Sequence, residues 1–460
     1  MNKSELKPAV VFEQFAKINE IPRPSKREEK MIEYLTNWGK SHSLDTHVDE
    51  VGNVIIRKGA TPGYENRKTV VLQSHMDMVC DKLVDVEFDF DKDPIKTYID
   101  GEWLTAEGTT LGADDGIGCA IELAILESND IEHGPVECVF TRDEETGLSG
   151  AMGMKSGFMT GDYLINLDSE DEGEIFVSCA GGRNTTVKFT FKREAAPEGS
   201  FFLRAQVKGL VGGHSGDDIN KKRANSIKLL SRFIYLMSEK GKVLLGNLNA
   251  GGLHNAIPRD GEMIIAVPAA EKENVRAAFN VFASEVEEEY HVTEPNIKMY
   301  MESAEAGKVI CEEDSRKIIL ALQGVDNGVL SMCQDKAIEW LVETSSNLAS
   351  VKTQEDGSIL VTTSQRSNVM SALDNMCNTV RAVFQLAGAE VDTGEGYPAW
   401  KMNPDSKLTK MVVDSYKELF GKEPQVLGIH AGLECGLFAE RYPDLDMVSM
   451  GPTLRGVHSP

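Results

Sequence analysis

Histidine and carboxylate side chains follow four apolar segments of this chain, each near the point where the segment ends. The segments are residues 69–72, 136–140, 163–167 and 447–450, and the side chains after them are His75 and Asp77, Glu144 and Glu145, Asp168, and His458, respectively. In open α/β sheets, sites form beyond the carboxyl ends of the parallel strands. Imidazoles and carboxylates without paired cysteines suit Zn²⁺ or Mn²⁺ in a hydrolytic site better than a structural zinc site.

Acidic residues near the first histidine and before a predicted helix could take part in such a site. Asp77 lies two residues after His75, and residues two apart in a strand face the same side, so its carboxylate could orient the imidazole. A chance His-x-Asp is the plainer interpretation. Asp114 and Asp115 precede the predicted helix 116–126, and their plainer role is to cap that helix.

Glu144 and Glu145 are adjacent after one predicted strand. In so acidic a protein they could form a solvated turn. A hydrolytic metal site, however, needs both a carboxylate ligand and a separate base, and neighbouring side chains that point apart supply the two roles. His458 stands close to the last residue of the sequence, where a surface histidine is the ordinary alternative.

Three polar residues in the middle of the chain are candidates for contact with a substrate. His214 lies in the glycine-flanked segment 211–216, for which a tight turn is an equal alternative. Asn255 and Arg366 follow strand-like segments. Arg366 could hold a substrate carboxylate with two hydrogen bonds, and a surface ion pair is its alternative role.

The elements that must position these residues indicate two kinds of domain. Apolar runs alternate with helices in residues 1–181, which predicts an α/β catalytic domain with a mostly parallel sheet. Residues 182–392 contain period-two strands and long helices, which predict an inserted α+β domain. The first pattern returns in residues 393–460, so we expect the second domain to be inserted into the first.

The composition is that of a soluble globular protein and limits the partners. The chain has 460 residues, with 48 Lys and Arg against 73 Asp and Glu, for a formal net charge of −25. Such a field repels nucleic acid and anionic membrane surfaces, so neither is expected as a partner. Scattered cysteines, no signal-like start and no long apolar stretch predict a reduced, cytoplasmic protein without a transmembrane helix.

Six motifs make the chain resemble the M20-type metallopeptidases over nearly its whole length. In chain order they are residues 74–79 (SHMDMV), 108–118 (GTTLGADDGIG), 143–147 (DEETG), 166–170 (NLDSE), 212–216 (GGHSG) and 451–460 (GPTLRGVHSP). The second motif points to the dipeptidase branch. The resemblance implies a zinc-peptidase catalytic domain, an inserted lid domain through which two copies form a homodimer, and metal-dependent hydrolysis of unblocked dipeptides, including Xaa-His.

The resemblance also implies the metal ligands. His75 and Asp168 would hold one zinc ion, Glu145 and His458 would hold the second, and Asp114 would bridge both. Asp114 is the bridging choice because the family's motif places this residue first after the small residue. Mn²⁺ or Co²⁺ would be possible substitutes for Zn²⁺.

The remaining roles implied by the resemblance concern the reaction and the substrate. Asp77 would orient the first imidazole, and Glu144 would be the general base. His214 would stabilise the oxyanion, in many relatives across the dimer. Asn255 and Arg366 would bind substrate from the lid.

Two other hypotheses remain open. An aminotripeptidase or an N-acyl-amino-acid amidohydrolase of the same fold would share the metal ligands and differ only in the pocket. A metal-binding protein with an inactive site belongs to a different class, and Glu144 beside a full ligand set counts against it. The family usually continues past the final histidine into a terminal helix, whereas this sequence ends at Pro460.

Overall fold

The computed structural model describes residues 6–334, 336 and 338–460. Its helices are α1 (Ala9–Ile18), α2 (Glu29–Ser41), α3 (Ala113–Glu127), α4 (Glu144–Gly147), α5 (Ser149–Gly153), α6 (Ser226–Ser238), α7 (Lys272–Tyr290), α8 (Glu312–Gly324), α9 (Met370–Leu386), α10 (Lys407–Phe420) and α11 (Glu434–Arg441). Its strands are β1 (Asp45–Val48), β2 (Val54–Lys58), β3 (Val70–His75), β4 (Thr97–Asp100), β5 (Trp103–Ala106), β6 (Val136–Thr141), β7 (Tyr163–Asn166), β8 (Glu174–Cys179), β9 (Gly181–Phe189), β10 (Arg193–Ala195), β11 (Ser200–Lys208), β12 (Gly213–His214), β13 (Leu244–Gly251), β14 (Ala256–Ile257), β15 (Gly261–Pro268), β16 (Lys298–Ser303), β17 (Lys308–Ile310), β18 (Gly328–Met332), β19 (Val342–Thr353), β20 (Ile359–Ser367), β21 (Glu390–Thr393), β22 (Gln425–Ile429) and β23 (Asp446–Ser449).

The chain divides into two compact units. The first unit consists of Met1–Ser178, Trp400–Gly428 and Leu433–Pro460, and the second consists of Cys179–Ala399 and Ile429–Gly432. The inserted domain predicted from the sequence spans residues 182–392. The second unit is therefore longer than that prediction at both ends, and it also includes a short later segment.

The first unit is built on an eight-stranded sheet with the strand order β1-β2-β6-β3-β7-β23-β8-β22. The four neighbours β6, β3, β7 and β23 run parallel, whereas β1, β2 and β8 pair antiparallel. This mixed sheet with a parallel centre confirms the predicted α/β fold class. It also brings the carboxyl ends of the four central strands to the same edge of the sheet.

The central strands of the first unit are apolar because both of their faces are covered. Every residue of β6 is buried, and β3 is buried from Val71 onward. Helix α3 packs against both α1 and β3 and is itself largely buried. The core includes Phe15, Leu35, Leu123 and Phe140. Burial of each such side chain stabilises the fold by about 1.5–3 kcal/mol.

The second unit is built on an antiparallel sheet with the strand order β16-β11-β15-β13-β19-β20-β9-β21, and β18 also pairs with β19. Strand β9 alternates as predicted, because Val187 and Phe189 are buried while Lys188 is exposed. Phe233 of α6 and Phe279 of α7 meet in the core, with ring centroids 4.9 Å apart. The predicted α+β character is confirmed.

Two segments show local structure that the sequence patterns did not define. The helix predicted to begin at Gly116 begins at Ala113, and Gly112 before it has the positive φ (68°) that glycine adopts without strain. The glycine-rich stretch 427–437 contains the end of strand β22 and the start of helix α11. Both helix starts contain acidic side chains that are buried.

Free thiols include Cys80, Cys119, Cys138, Cys311 and Cys377. Among the described residues, every helix is too short or too polar to cross a lipid bilayer.

Candidate metal centre

The five predicted metal ligands all belong to the first unit. His75 is the last residue of β3, Asp168 comes two residues after β7, Glu145 lies in the one-turn helix α4 that follows β6, and His458 follows β23. Asp114 comes from the first turn of α3, where its backbone is not helical. Parallel strands thus bring residues that are far apart in sequence to one edge of the sheet.

Asp114 lies between two histidines. Its Oδ1 is 2.9 Å from His75 Nε2, and its Oδ2 is 3.3 Å from His458 Nε2. Asp168 Oδ1 lies 3.4 Å from the same nitrogen of His75, and Glu145 Oε2 lies 3.1 Å from the same nitrogen of His458. The arrangement consists of two histidine–carboxylate pairs that share one aspartate.

This donor set fits divalent metal ions. The side chains of Asp114 and Asp168 are 10% exposed and that of Glu145 is 6% exposed. Within the described part of the chain, Glu145 Oε1 is buried without a hydrogen-bond partner. Carboxylates held out of water need positive charge beside them, and nitrogen and oxygen ligands without thiolate suit Zn²⁺ and Mn²⁺.

Burial and hydrogen bonding shift the pKa values of the buried carboxylates in opposite directions. Burial raises the pKa of Asp168 and the pKa of Glu144 well above the ordinary carboxyl range. Burial also opposes ionisation of Asp114, but hydrogen bonds with His458 and His75 outweigh it and hold the pKa of Asp114 below its usual value. Asp114 is therefore the carboxylate that stays charged between the two imidazoles.

Asp77 connects the first histidine to the turn that contains both glutamates. It is fully buried, and its Oδ1 lies 3.4 Å from His75 Nδ1. The same Oδ1 accepts a hydrogen bond from the backbone N–H of Glu144 (3.1 Å), and Oδ2 accepts one from the backbone N–H of Glu145 (3.3 Å). A third donor is the hydroxyl of Ser25, 2.7 Å from Oδ2. One carboxylate thus fixes two parts of the site.

A second group of buried side chains, which the sequence analysis did not single out, supports the same turn. Glu28 is fully buried and forms an ion pair with Arg142 (2.7 Å), and it also accepts the backbone N–H of Asp143 (3.1 Å). Asp143 has a positive φ of 53°, and its carboxylate accepts the hydroxyls of Thr146 and Ser149. Asp143 precedes the two glutamates, and that acidic run was the available signal. Nothing in the sequence pattern pointed to Glu28.

Asp115 has a different environment from Asp114. Its Oδ1 accepts the backbone N–H of Gly118 (3.1 Å), as a helix-capping side chain does. Burial raises the pKa of Asp115 well above the ordinary value. The capping role considered for this pair therefore belongs to Asp115, and the position between the histidines belongs to Asp114.

The second unit contains a separate polar group, the His214–Arg366 cluster, made of His214, Asp217, Arg366 and Tyr397. Arg366 Nη2 lies 3.3 Å from His214 Nε2, and Arg366 Nη1 donates to the Tyr397 hydroxyl (2.7 Å). His214 Nδ1 lies 3.1 Å from Asp217 Oδ2. A guanidinium only donates, so Nε2 of His214 is the acceptor in this arrangement.

Asn255 is connected to this cluster by backbone hydrogen bonding. Strand β12 pairs with β14 so that His214 faces Ala256, the residue after Asn255. The carbonyl of Asn255 accepts the backbone N–H of Ser215 (2.8 Å). The structure thus places His214, Arg366 and the backbone of Asn255 in one region of the second unit, while Asp217 and Tyr397 are partners that the sequence did not reveal.

A parallel-centred sheet with histidines and carboxylates at its strand ends, arranged around a shared aspartate, is the architecture of a metallopeptidase. The chain belongs to peptidase family M20/M25/M40, whose model matches residues 71–460. The family membership expected from the motifs is therefore confirmed.

Individual relatives agree with this assignment. The chain is 42% identical over 458 residues to the cytosol non-specific dipeptidase of Escherichia coli (strain K12), covering 99% of this chain and 94% of that protein. The crystal structure of aminoacylhistidine dipeptidase from Vibrio alginolyticus matches with a TM-score of 0.88 and 42% identity, over 100% of this chain and 94% of that one. A tripeptidase structure from Staphylococcus aureus, at 15% identity and a TM-score of 0.54, covers 98% of this chain and 91% of its own, and it shares the fold alone.

Proposed function

We propose that this chain is a two-metal dipeptidase that hydrolyses unblocked dipeptides, including those with C-terminal histidine. The observation that carries the proposal is the Asp114 carboxylate, whose two oxygens face His75 Nε2 and His458 Nε2. A shared aspartate between two histidine–carboxylate pairs suits a binuclear hydrolytic site. The names of the two relatives at 42% identity supply the substrate class.

His75 and Asp168 would hold one metal ion and Glu145 and His458 the other, with Asp114 bridging. Zn²⁺ is the proposed metal, and Mn²⁺ or Co²⁺ could replace it, because all five donors are imidazole nitrogens or carboxylate oxygens. The chemistry that bound ions would supply here is a more acidic water molecule and a polarised scissile carbonyl.

Glu144 would act as the general base and then as the general acid. Asp77 accepts its backbone N–H, so the position of Glu144 is fixed from the buried side of the turn. Burial raises the pKa of Glu144 well above the ordinary carboxyl value, and a raised pKa suits a carboxylate that takes a proton from water and returns it to the leaving amine. Its neighbour Glu145 faces His458 instead, which supports different proposed roles for the two adjacent glutamates.

Asp77 would orient His75 for metal binding. A carboxylate near Nδ1 fixes the tautomer that leaves Nε2 free as the ligand atom. In the structure, Nε2 of His75 is the nitrogen that faces Asp114 and Asp168, and Nδ1 is the nitrogen that faces Asp77.

The His214–Arg366 cluster would recognise the substrate. Arg366 would bind the terminal carboxylate with two N–H groups, which restricts cleavage to short peptides, and Asn255 would contribute a further polar contact. His214 would donate from Nε2 to the developing oxyanion. Since Arg366 Nη2 donates toward that same nitrogen, Nε2 carries no proton in this arrangement. Binding of a carboxylate by Arg366 would free Nε2 to take up the proton that it would then donate.

We further propose a homodimer that forms through the inserted domain. This proposal rests on family resemblance. Light scattering on the intact chain tests it, with a mass near twice 50.5 kDa as the expected result.

A substrate panel tests the proposed activity. The panel contains Xaa-His dipeptides, Ala-Ala, Cys-Gly, a tripeptide and an N-acetylated dipeptide, each assayed before chelation, after chelation and after zinc add-back. We expect chelator-sensitive cleavage of free dipeptides alone. Preference for the tripeptide would favour an aminotripeptidase, preference for the acetylated compound an amidohydrolase, and metal binding without turnover an inactive site.

A further inference from the structure

Glu434, the first residue of helix α11, is fully buried in the first unit and has no place in the proposed reaction. Its Oε2 accepts two hydrogen bonds, from Gln73 Nε2 (2.6 Å) and from the Thr141 hydroxyl (2.7 Å). Gln73 Nε2 also donates to Thr141 Oγ1 (3.1 Å). Glu434 is therefore the acceptor that joins a side chain of β3 to one of β6.

The hydrogen bonds continue from Gln73 across the sheet. Gln73 Oε1 accepts from Asn166 Nδ2 (2.7 Å), and Asn166 Oδ1 accepts from the hydroxyl of Ser449. The Ser449 hydroxyl in turn lies 2.6 Å from that of Ser169. An unbroken chain of buried side chains thus spans the adjacent parallel strands β6, β3, β7 and β23.

The members of this chain stand just before the residues of the candidate metal centre. Gln73 precedes His75 by two residues, and Thr141, the last residue of β6, precedes Glu144 by three. Asn166, the last residue of β7, precedes Asp168 by two, the same offset as in β3. Gln73 is also paired with Asn166 across the parallel β3–β7 ladder. The network therefore ties together the strand ends that deliver three parts of the site.

We propose that Glu434 is a positioning residue, whose acceptor oxygen holds the ends of β3 and β6 in the spacing that the metal ligands and the general base require. The proposal rests on the proposed function for its effect on turnover, but its effect on metal affinity does not depend on which substrate is cleaved. Residues that orient metal ligands from behind typically change affinity or activity by about 10–100-fold when removed.

The role requires an acceptor rather than a charge. Burial raises the pKa of Glu434 to about 7. In the described part of the chain Oε1 has no hydrogen-bond partner, so a proton can reside there while Oε2 still accepts both donors. A glutamine at this position can present its carbonyl oxygen in the same way, whereas an apolar side chain of similar size cannot.

Two substitutions at Glu434 distinguish the loss of the hydrogen-bond acceptor from the loss of the charge. In Glu434→Met, the amide of Gln73 and the hydroxyl of Thr141 lose a buried acceptor. We expect zinc affinity, measured by competition with a chromophoric chelator, to fall about 10–100-fold, and kcat to fall at least about tenfold with little change in KM. In Glu434→Gln we expect zinc affinity and kcat within about threefold of the parent protein.

A matched control removes a buried carboxylate from β6, at the opposite end of that strand from Thr141. Glu137 lies near the start of β6, is 2% exposed, and pairs with Arg57 (3.0 Å). Glu137→Met is expected to lower the melting temperature while zinc affinity and kcat stay unchanged. If Glu434→Met does not fold, Thr141→Val serves instead, because it removes a hydroxyl from the same network. We expect Thr141→Val to lower zinc affinity by a smaller factor.

The outcomes are distinct. A Glu434→Met or Thr141→Val protein that melts lower but binds zinc and turns over normally would overturn the proposal. So would a Glu434→Gln protein as impaired as Glu434→Met, because that result would assign the effect to charge. If the parent protein cleaves no dipeptide, the proposed function fails, while the zinc titrations still decide the role of Glu434.

Discussion

The metal centre of the first unit and the His214–Arg366 cluster of the second unit are held in place by different means. The metal centre stands at strand ends, and its residues are fixed from behind by buried partners such as Asp77, which accepts two backbone N–H groups. His214 belongs to a two-residue strand. Its side chain is 33% exposed, and the side chain of its partner Asp217 is 47% exposed. Each region has one exception, since His458 of the metal centre is 55% exposed and Arg366 of the cluster is 6% exposed. We therefore propose that the sheet fixes His75, Glu145 and Asp168, whereas substrate binding can rearrange the exposed part of the cluster.

Substitution of the shared aspartate tests this difference most strongly. Asp114→Asn removes the charge between the two histidines, and we expect both metal ions to be lost and dipeptide hydrolysis to become undetectable. The neighbour provides a matched control, since Asp115 accepts the N–H of Gly118 and faces neither histidine in the described contacts. Asp115→Asn should keep two metal ions per chain by elemental analysis. Equal metal loss in both variants would contradict the distinction.

Glu144→Gln has the next largest expected effect. The side chain keeps its shape but can no longer take a proton, so kcat should fall about 10³-fold or more while metal content stays at two per chain. Steady-state kinetics together with elemental analysis measure both quantities. Retained turnover would refute the base assigned to this residue, and lost metal would mean that Glu144 is a ligand.

Asp77→Asn tests whether buried support is what makes the metal centre rigid. The amide can no longer accept at both oxygens, so the turn at Glu144 and Glu145 and the His75 ring lose a common partner. We expect zinc affinity or kcat to fall about 10–100-fold. An unchanged zinc titration would show that Asp77 supports the fold without positioning the ligands.

Arg366→Lys tests the recognition cluster. Lysine keeps the charge but cannot form two parallel hydrogen bonds, so KM for dipeptides should rise about tenfold with a smaller change in kcat. Tyr397→Phe removes only the hydroxyl that Arg366 Nη1 meets at 2.7 Å, and its effect on KM should be smaller. A larger loss in kcat than in KM for Arg366→Lys would move this residue into the chemical step.

The smallest expected effect concerns a buried histidine of the second unit. His430 is 4% exposed, its Nε2 lies 2.7 Å from the Ser345 hydroxyl, and burial together with the charge of Arg366 lowers its pKa to about 3. The unfolded value is about 6.5, so only the unfolded chain binds this proton between those limits. The free energy of unfolding should therefore fall below pH 6.5, by at most about 1.4 kcal/mol per pH unit from this group.

His430→Asn removes this contribution. We expect the stability difference between the parent protein and the variant, measured by urea unfolding, to be smaller at pH 5 than at pH 7.5. A difference that is the same at both pH values would show that His430 does not titrate in this way.

The sequence was informative where strand periodicity and motif spacing coincide. The apolar runs before His75, Glu144 and Asp168 predicted parallel strands, and the parallel sheet followed from them. The choice of Asp114 over Asp115 could not come from periodicity, because the two are adjacent and only the backbone path at the start of α3 separates their environments. That choice came from family resemblance.

The residues that support the site were the least predictable from sequence. Among Glu28, Gln73 and Glu434, the first and the last are 406 positions apart in the sequence. No local pattern links such side chains to their partners, which they meet only after the sheet has formed. Likewise, Tyr397 and Asp217 join Arg366 and His214 through tertiary contacts alone. Local patterns define elements, whereas these partners depend on how the elements pack.

The most direct test of the account is X-ray diffraction from zinc-loaded crystals at the zinc absorption edge. We predict two anomalous peaks on either side of the Asp114 carboxylate, one in contact with His75 and Asp168 and the other with Glu145 and His458. A single peak, or peaks in contact with other residues, would contradict the assignment of a shared aspartate in a two-metal site.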